Sequence, residues 1–252
     1  MIIRNADDLG KSEQVNKAIL TAFEKGYIDR TTLMTNMPDA EEGVAMMREA
    51  GLASVVGIHL NLTEGEPLTD PIKKNPMFCD ENGLFHARFR QKKVNRLYMD
   101  ASTKREIYME LEAQLQAYRD FGLTLWHIDS HHHVHTDYPI YCVLKKLADD
   151  YEFSSVRQTR NLMTKASLPV RIYKDGYNKS LKKICKTTSD YFGSVKDLLD
   201  HCREMGGFDN LSDAYVELML HPMYNEEGVL VDTKVPMDTE YRKLSELTGA
   251  FE

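Results

Sequence analysis

Five of the nine histidines in this chain fall within nine residues, in the run His127, Ile128, Asp129, Ser130, His131, His132, His133, Val134, His135. Neutral imidazole is the commonest metal-binding side chain, so a cluster this dense points first to a metal centre. If the run is extended throughout, His127, Asp129, His131, His133 and His135 share one side, because strand side chains alternate. Metal-bound imidazoles need an acceptor on their second nitrogen, so Asp129 reads as an orienting group and some of the histidines as facing a substrate. A solvated loop with no ligand is the plainer alternative.

Three more segments place polar residues where an apolar run ends: Asp7 and Asp8, His59 with Asn61, and His221. Adjacent carboxylates can divide the work of hydrolysis, one binding a metal and its neighbour acting as general base on water. The same pair also serves as a turn former or a helix cap. Consecutive strand residues face opposite sides, so a shared role requires the chain to turn there, and Gly10 offers the turn. A lone histidine in residues 57–65 or 218–222 reads equally as a packed, hydrogen-bonded residue. Four such strand ends together favour a metal-dependent hydrolase.

The elements that would position these groups alternate between strand and helix. Strands are expected at residues 2–5, 31–35, 54–62, 123–130, 155–158 and 214–220, from β-branched and apolar runs. Helices are expected after Ser12, from Pro38 to Gly51, from a Thr103/Glu106 capping box to Gly122, at 139–147 and at 194–205. Residues 63–101 sustain no period and carry turn signals at Pro67, Pro71, Pro76 and Asn82-Gly83, as a lid or functional excursion would. Without repeats or a linker, this order predicts one α/β domain over residues 1–252, with a mostly parallel sheet and a barrel-like closure. Its site is then expected at the C-terminal ends of the strands.

Composition narrows the partners. The chain has 252 residues, with 32 Lys and Arg against 39 Asp and Glu, a formal charge of −7. No basic block tracks phosphates, which argues against nucleic acid or an anionic membrane surface as the main partner and favours a small or neutral ligand. The N-terminus lacks a basic segment followed by an apolar run, and no stretch approaches a membrane helix, so a cytoplasmic location is expected. Cys79, Cys142, Cys185 and Cys202 form no CxxC pair, which removes a zinc ribbon or dithiol redox site.

Taken together, residues 5–10, 57–62, 127–135 and 217–222 resemble the YdjC-like carbohydrate deacetylases, a family that includes chitooligosaccharide deacetylases. The resemblance runs from about residue 2 to residue 222, and its most specific part is the histidine run. It implies a (β/α) barrel-like fold related to the polysaccharide deacetylases, one divalent metal (Mg²⁺), a homodimer, and removal of an N-acetyl group from an amino sugar or short oligosaccharide. By position it implies Asp8, His59 and His131 as metal ligands, Asp7 as general base, His221 as general acid, and Arg157 as the arginine beside the base. Asn61, Asp129 and His133 then become substrate-binding or supporting residues. Two imidazoles and a carboxylate also suit Zn²⁺. The chain stops soon after Leu247, where relatives run on through another helix and strand, which leaves the closing of the barrel edge unassigned. Two rivals remain: a metal-dependent phosphohydrolase, which would need a second metal or a cationic clamp, and a non-catalytic sugar-binding module.

Overall fold

The computed structural model describes residues 1–162 and 167–248. In chain order the elements begin β1 (Ile2–Leu9), α1 (Glu13–Glu24), β2 (Arg30–Leu33), α2 (Ala40–Glu49), β3 (Val56–Leu60) and α3 (Asp70–Lys73). There follow α4 (Ala101–Asp120), β4 (His127–Ser130), α5 (Tyr138–Tyr151), β5 (Ser155–Val156), α6 (Leu168–Leu181), β6 (Tyr191–Ser194), α7 (Val195–Met205) and β7 (Val216–Leu220). A ribbon of β8 (Pro222–Tyr224), β9 (Leu230–Asp232) and β10 (Val235–Pro236) leads into α8 (Met237–Thr248).

Seven parallel strands, ordered β5-β4-β3-β2-β1-β7-β6, curl into a half-barrel with helices packed against it. Parallel strands are covered on both faces, and β2, β3, β4 and β7 are buried along their whole lengths. Helix α1 closes on the sheet through Ala18, Ile19 and Ala22, and α4 through Ile107, Leu111, Leu115 and Tyr118. Because the strands are parallel, the polar residues ending β1, β3, β4 and β7 all emerge at one rim.

Several expectations need adjustment. The long helix is capped by Asp100, whose carboxylate accepts from the Thr103 N–H, and Glu106 instead accepts from Asn75. The capping box of Thr103 and Glu106 is therefore not formed. Strand β6, helix α6, the ribbon and α8 carried little signal. The ribbon strands are two or three residues long, and α6 leaves Leu168, Ile172 and Tyr173 exposed, which blurs any apolar face. The excursion at 63–101 is largely irregular as expected, yet it is anchored: Phe78, Phe85, Phe89 and Met99 join the main core. Buried Glu110 of α4 accepts the backbone N–H groups of Leu68 and Thr69, pinning its start.

Candidate active site

The acid pair is presented by a distortion within β1. Between Ala6 and Leu9 the strand spends three residues against two of β2, and Asp8 adopts φ 73°. A left-handed residue that is not glycine is uncommon and concentrates at functional sites. The bulge breaks the alternation, so Asp7 and Asp8 line the same cleft. The turn thus falls at Asp8 itself, before Gly10. Gly10 is needed for a different reason, since it too is left-handed and a Cβ there would lie 2.9 Å from the Ala40 Cα.

The histidine run is not extended throughout, which corrects the shared-side expectation. Strand β4 stops at Ser130, and His131–Thr136 forms a 3-10 turn in which His132 and His133 have φ 53° and 55°. The five imidazoles therefore diverge. His131 points to Asp8, and His132, which lines the cleft, meets Thr63 Oγ1 at 3.0 Å. His133 also faces the cleft, its ring 5.7 Å from that of Phe192, and burial pushes its pKa down to about 3. His127 and His135 face inward to Ser155 and to the Arg157 carbonyl, so they serve packing.

Asp8, His59 and His131 come together as one buried group whose donor atoms all lie within 4.8 Å of one another. Asp8 Oδ1 is 3.2 Å from His59 Nε2 and 2.8 Å from His131 Nδ1. His59 Nδ1 meets Asp129 Oδ1 at 2.6 Å, the contact that an orienting carboxylate would make. Two imidazoles and one buried carboxylate fit a divalent cation. Burial lowers the His59 pKa, but Asp129 and Asp8 outweigh it and raise it to about 10. Burial likewise opposes ionisation of Asp8, and hydrogen bonds from His131 and His59 hold it well below the usual carboxylate range.

Asp7 has a different environment. Fully buried Arg157 grips it through two hydrogen bonds of 2.6 and 2.7 Å, and Asn5 donates at 2.9 Å. Burial would raise the Asp7 pKa, but the Arg157 guanidinium, aided by His59 and His221, brings it well below normal. Arg157 also reaches Asp129 at 2.8 Å and Glu217 at 2.7 Å, and Arg30 meets Glu217 at 3.2 Å. Glu217 is the residue that sequence reasoning missed most plainly: a charge inside the apolar strand Val216–Leu220 was the available signal. Its pKa is held well below normal, burial being outweighed by Arg157, so its stabilisation is present above about pH 4 and fades as pH falls further. Glu217→Gln leaves buried Arg30 without its carboxylate and removes one of the three carboxylates around Arg157, and is expected to cost about 3–5 kcal/mol, read from urea unfolding at pH 7. A loss under about 1 kcal/mol would show that this network does not hold the sheet together.

His221 follows β7, with its side chain 36% exposed to the cleft and Nε2 3.9 Å from Asp7 Oδ2. Its backbone N–H donates to Asp232 Oδ1 at 2.7 Å, and the same oxygen lies 3.9 Å from His221 Nδ1. Asp232, on β9, was not singled out from sequence. Asn61 is fully buried: its side chain accepts from Thr63 and Glu64 N–H and donates to the Glu64 carbonyl. Glu64 was also missed. Accepting from His131 Nε2 at 2.9 Å, it is lowered to about 2 chiefly by that hydrogen bond. The cleft encloses about 700 Å³, with Ala87 and Arg90 of the excursion on one wall and Met219, Met223 and Thr233 on another. No helix among the described residues is long and apolar enough to cross a membrane.

The profile of the family described as YdjC-like protein matches residues 1–248. A carbohydrate deacetylase of Geobacillus stearothermophilus is 34% identical over 223 residues, covering 88% of this chain and 79% of that one. One from Brevibacillus brevis is 32% identical over 239 residues, covering 91% and 84%. Among solved structures, a putative cellobiose-phosphate cleavage protein from Enterococcus faecalis superposes with a TM-score of 0.70 at 23% identity, over 98% of this chain and 90% of the other. That likeness speaks for the fold.

Proposed function

The chain belongs to the YdjC-like family, and from that premise we propose that it is a carbohydrate deacetylase that removes the N-acetyl group of an amino sugar or short chitooligosaccharide with the help of one divalent cation. The observation that carries this reading is a buried Asp8–His59–His131 donor group sharing one cleft with a separate carboxylate, Asp7, and a separate imidazole, His221. A binding module has no use for that separation. The other carboxylate–imidazole groups, Asp7–His59–Asp129 and His127–Asp129–Glu217, are each crossed by Arg157, so the second cation of a phosphohydrolase has no ready seat.

In this proposal Asp8, His59 and His131 hold the cation, which when bound polarises the acetyl carbonyl and acidifies the attacking water. Arg157 holds Asp7 well below the usual carboxylate range, which favours its ionised form and makes it a weak base, so as general base it would rely on the acidification that a bound cation would supply. Its two bonds from the guanidinium fix the carboxylate plane toward the cleft. His221 delivers a proton to the nitrogen as the C–N bond breaks, since an amine anion is a poor leaving group. Asp232 accepts the His221 backbone N–H and so holds the chain segment that carries the ring. Two imidazoles and one carboxylate suit Zn²⁺ by donor type, while the family resemblance implies Mg²⁺, and elemental analysis of the purified chain decides between them.

The test is release of acetate from N,N′-diacetylchitobiose, with phosphate release from a sugar phosphate measured in parallel, each before and after treatment with chelator. Acetate release that is lost with chelator and regained with cation is expected. Phosphate release without acetate, or acetate release indifferent to the chelator, would overturn the reading.

A further inference from the structure

The two ligand imidazoles are not supported alike, and the difference gives a role to a residue outside the ligand group. His59 presents Nε2 to Asp8 and has its Nδ1 on Asp129, deep in the core. His131 is turned the other way: Nδ1 faces Asp8 Oδ1 at 2.8 Å, and Nε2 points out of the group to Glu64 Oε2 at 2.9 Å. We propose that Glu64 is the positioning residue for His131, fixing the ring with its proton on Nε2 so that Nδ1 is the atom offered to the cation. This rests on the proposed metal-dependent reading and adds a residue to it.

The chain is built to hold Glu64 there. Directly after β3, Asn61 Oδ1 accepts the Glu64 N–H at 3.2 Å, while Asn61 and Asn36 side chains both donate to the Glu64 carbonyl, at 2.6 and 3.2 Å. The backbone of Glu64 is thus clamped from both sides, although its side chain is 39% exposed. Lys11 Nζ meets the same Oε2 at 2.8 Å and lies 3.6 Å from Asp8 Oδ2. The carboxylate therefore has its charge largely matched by Lys11. What it supplies to His131 is direction, an acceptor at a fixed place, more than a long-range field.

That distinction gives the test. Zn²⁺ is titrated into the chelator-stripped full chain, using a competing chromophoric chelator, for wild type, Glu64→Ala and Glu64→Gln. Loss of a group that orients a metal ligand typically weakens affinity about 10- to 100-fold, and that is expected for Glu64→Ala. Glu64→Gln keeps an acceptor oxygen and should stay within about threefold of wild type. Glu64→Ala binding as tightly as wild type overturns the assignment, as does an equal loss in both variants, which would mean that only charge matters. Independently of any variant, the imidazole ¹⁵N spectrum of the Zn²⁺-loaded wild-type chain should show His131 protonated at Nε2, and a proton on Nδ1 overturns it. A wild-type chain that binds no Zn²⁺ brings down the metal-dependent reading along with the assignment. Wild type that binds Zn²⁺ and releases acetate, with Glu64→Ala unchanged in affinity, brings down the assignment alone.

Discussion

Asp7→Asn is expected to retain its cation and lose about 10²- to 10⁴-fold in turnover, the usual cost of removing a general base, whereas Asp8→Asn is expected to lose the cation first. The two residues are chain neighbours, yet their hydrogen-bond partners differ. Asp7 is held by Arg157 and Asn5, and Asp8 by His59 and His131. The amide in Asp7→Asn still meets Arg157 through its oxygen, but it turns an NH₂ toward the guanidinium and can take no proton. Part of its loss will be structural, so both variants are compared with wild type for thermal midpoint, bound metal by elemental analysis, and acetate release at saturating cation. If Asp7→Asn loses metal to the same degree as Asp8→Asn, the division of labour between the two carboxylates is wrong. Near wild-type turnover in Asp7→Asn would remove it as the base.

Much of this arrangement is legible in the residues because it depends on which strand a group ends, and parallel strands bring their ends to one rim. Asp7, Asp8, His59, His131 and His221 each lie at or just past the C-terminal end of a strand, and the β1–β7 register, with Ala6 opposite Leu220, makes neighbours of residues 214 apart in Asp7 and His221. The local geometry was less legible. Asp8, His132 and His133 all have left-handed backbones without being glycine, a conformation that tertiary contacts impose and that no local propensity announces. Extrapolating the strand alternation through His135 failed for that reason. Asp232 escaped notice because it sits on a three-residue strand eleven residues beyond His221, with no periodic pattern to lead to it. Arg157 was placed by family resemblance, and only the fold shows why it is fully buried: it pairs with Asp7, Asp129 and Glu217 at once.

His221→Ala should discriminate between substrates by their leaving groups. Cleaving an amide expels a nitrogen that needs a proton, while an aryl acetate expels a phenoxide that does not. With the imidazole 36% exposed to the cleft and Asp232 beneath it, the ring is placed to give that proton without being part of the cation-binding group. The variant is expected to lose about 10²- to 10⁴-fold on N,N′-diacetylchitobiose and under about tenfold on an aryl acetate, with its cation content unchanged. Asp232→Asn keeps the imidazole and alters only the acceptor of the His221 backbone N–H, and should show a smaller loss on the amide. Equal losses on amide and ester would mean that His221 shapes the cleft or binds the sugar and that the proton comes from elsewhere.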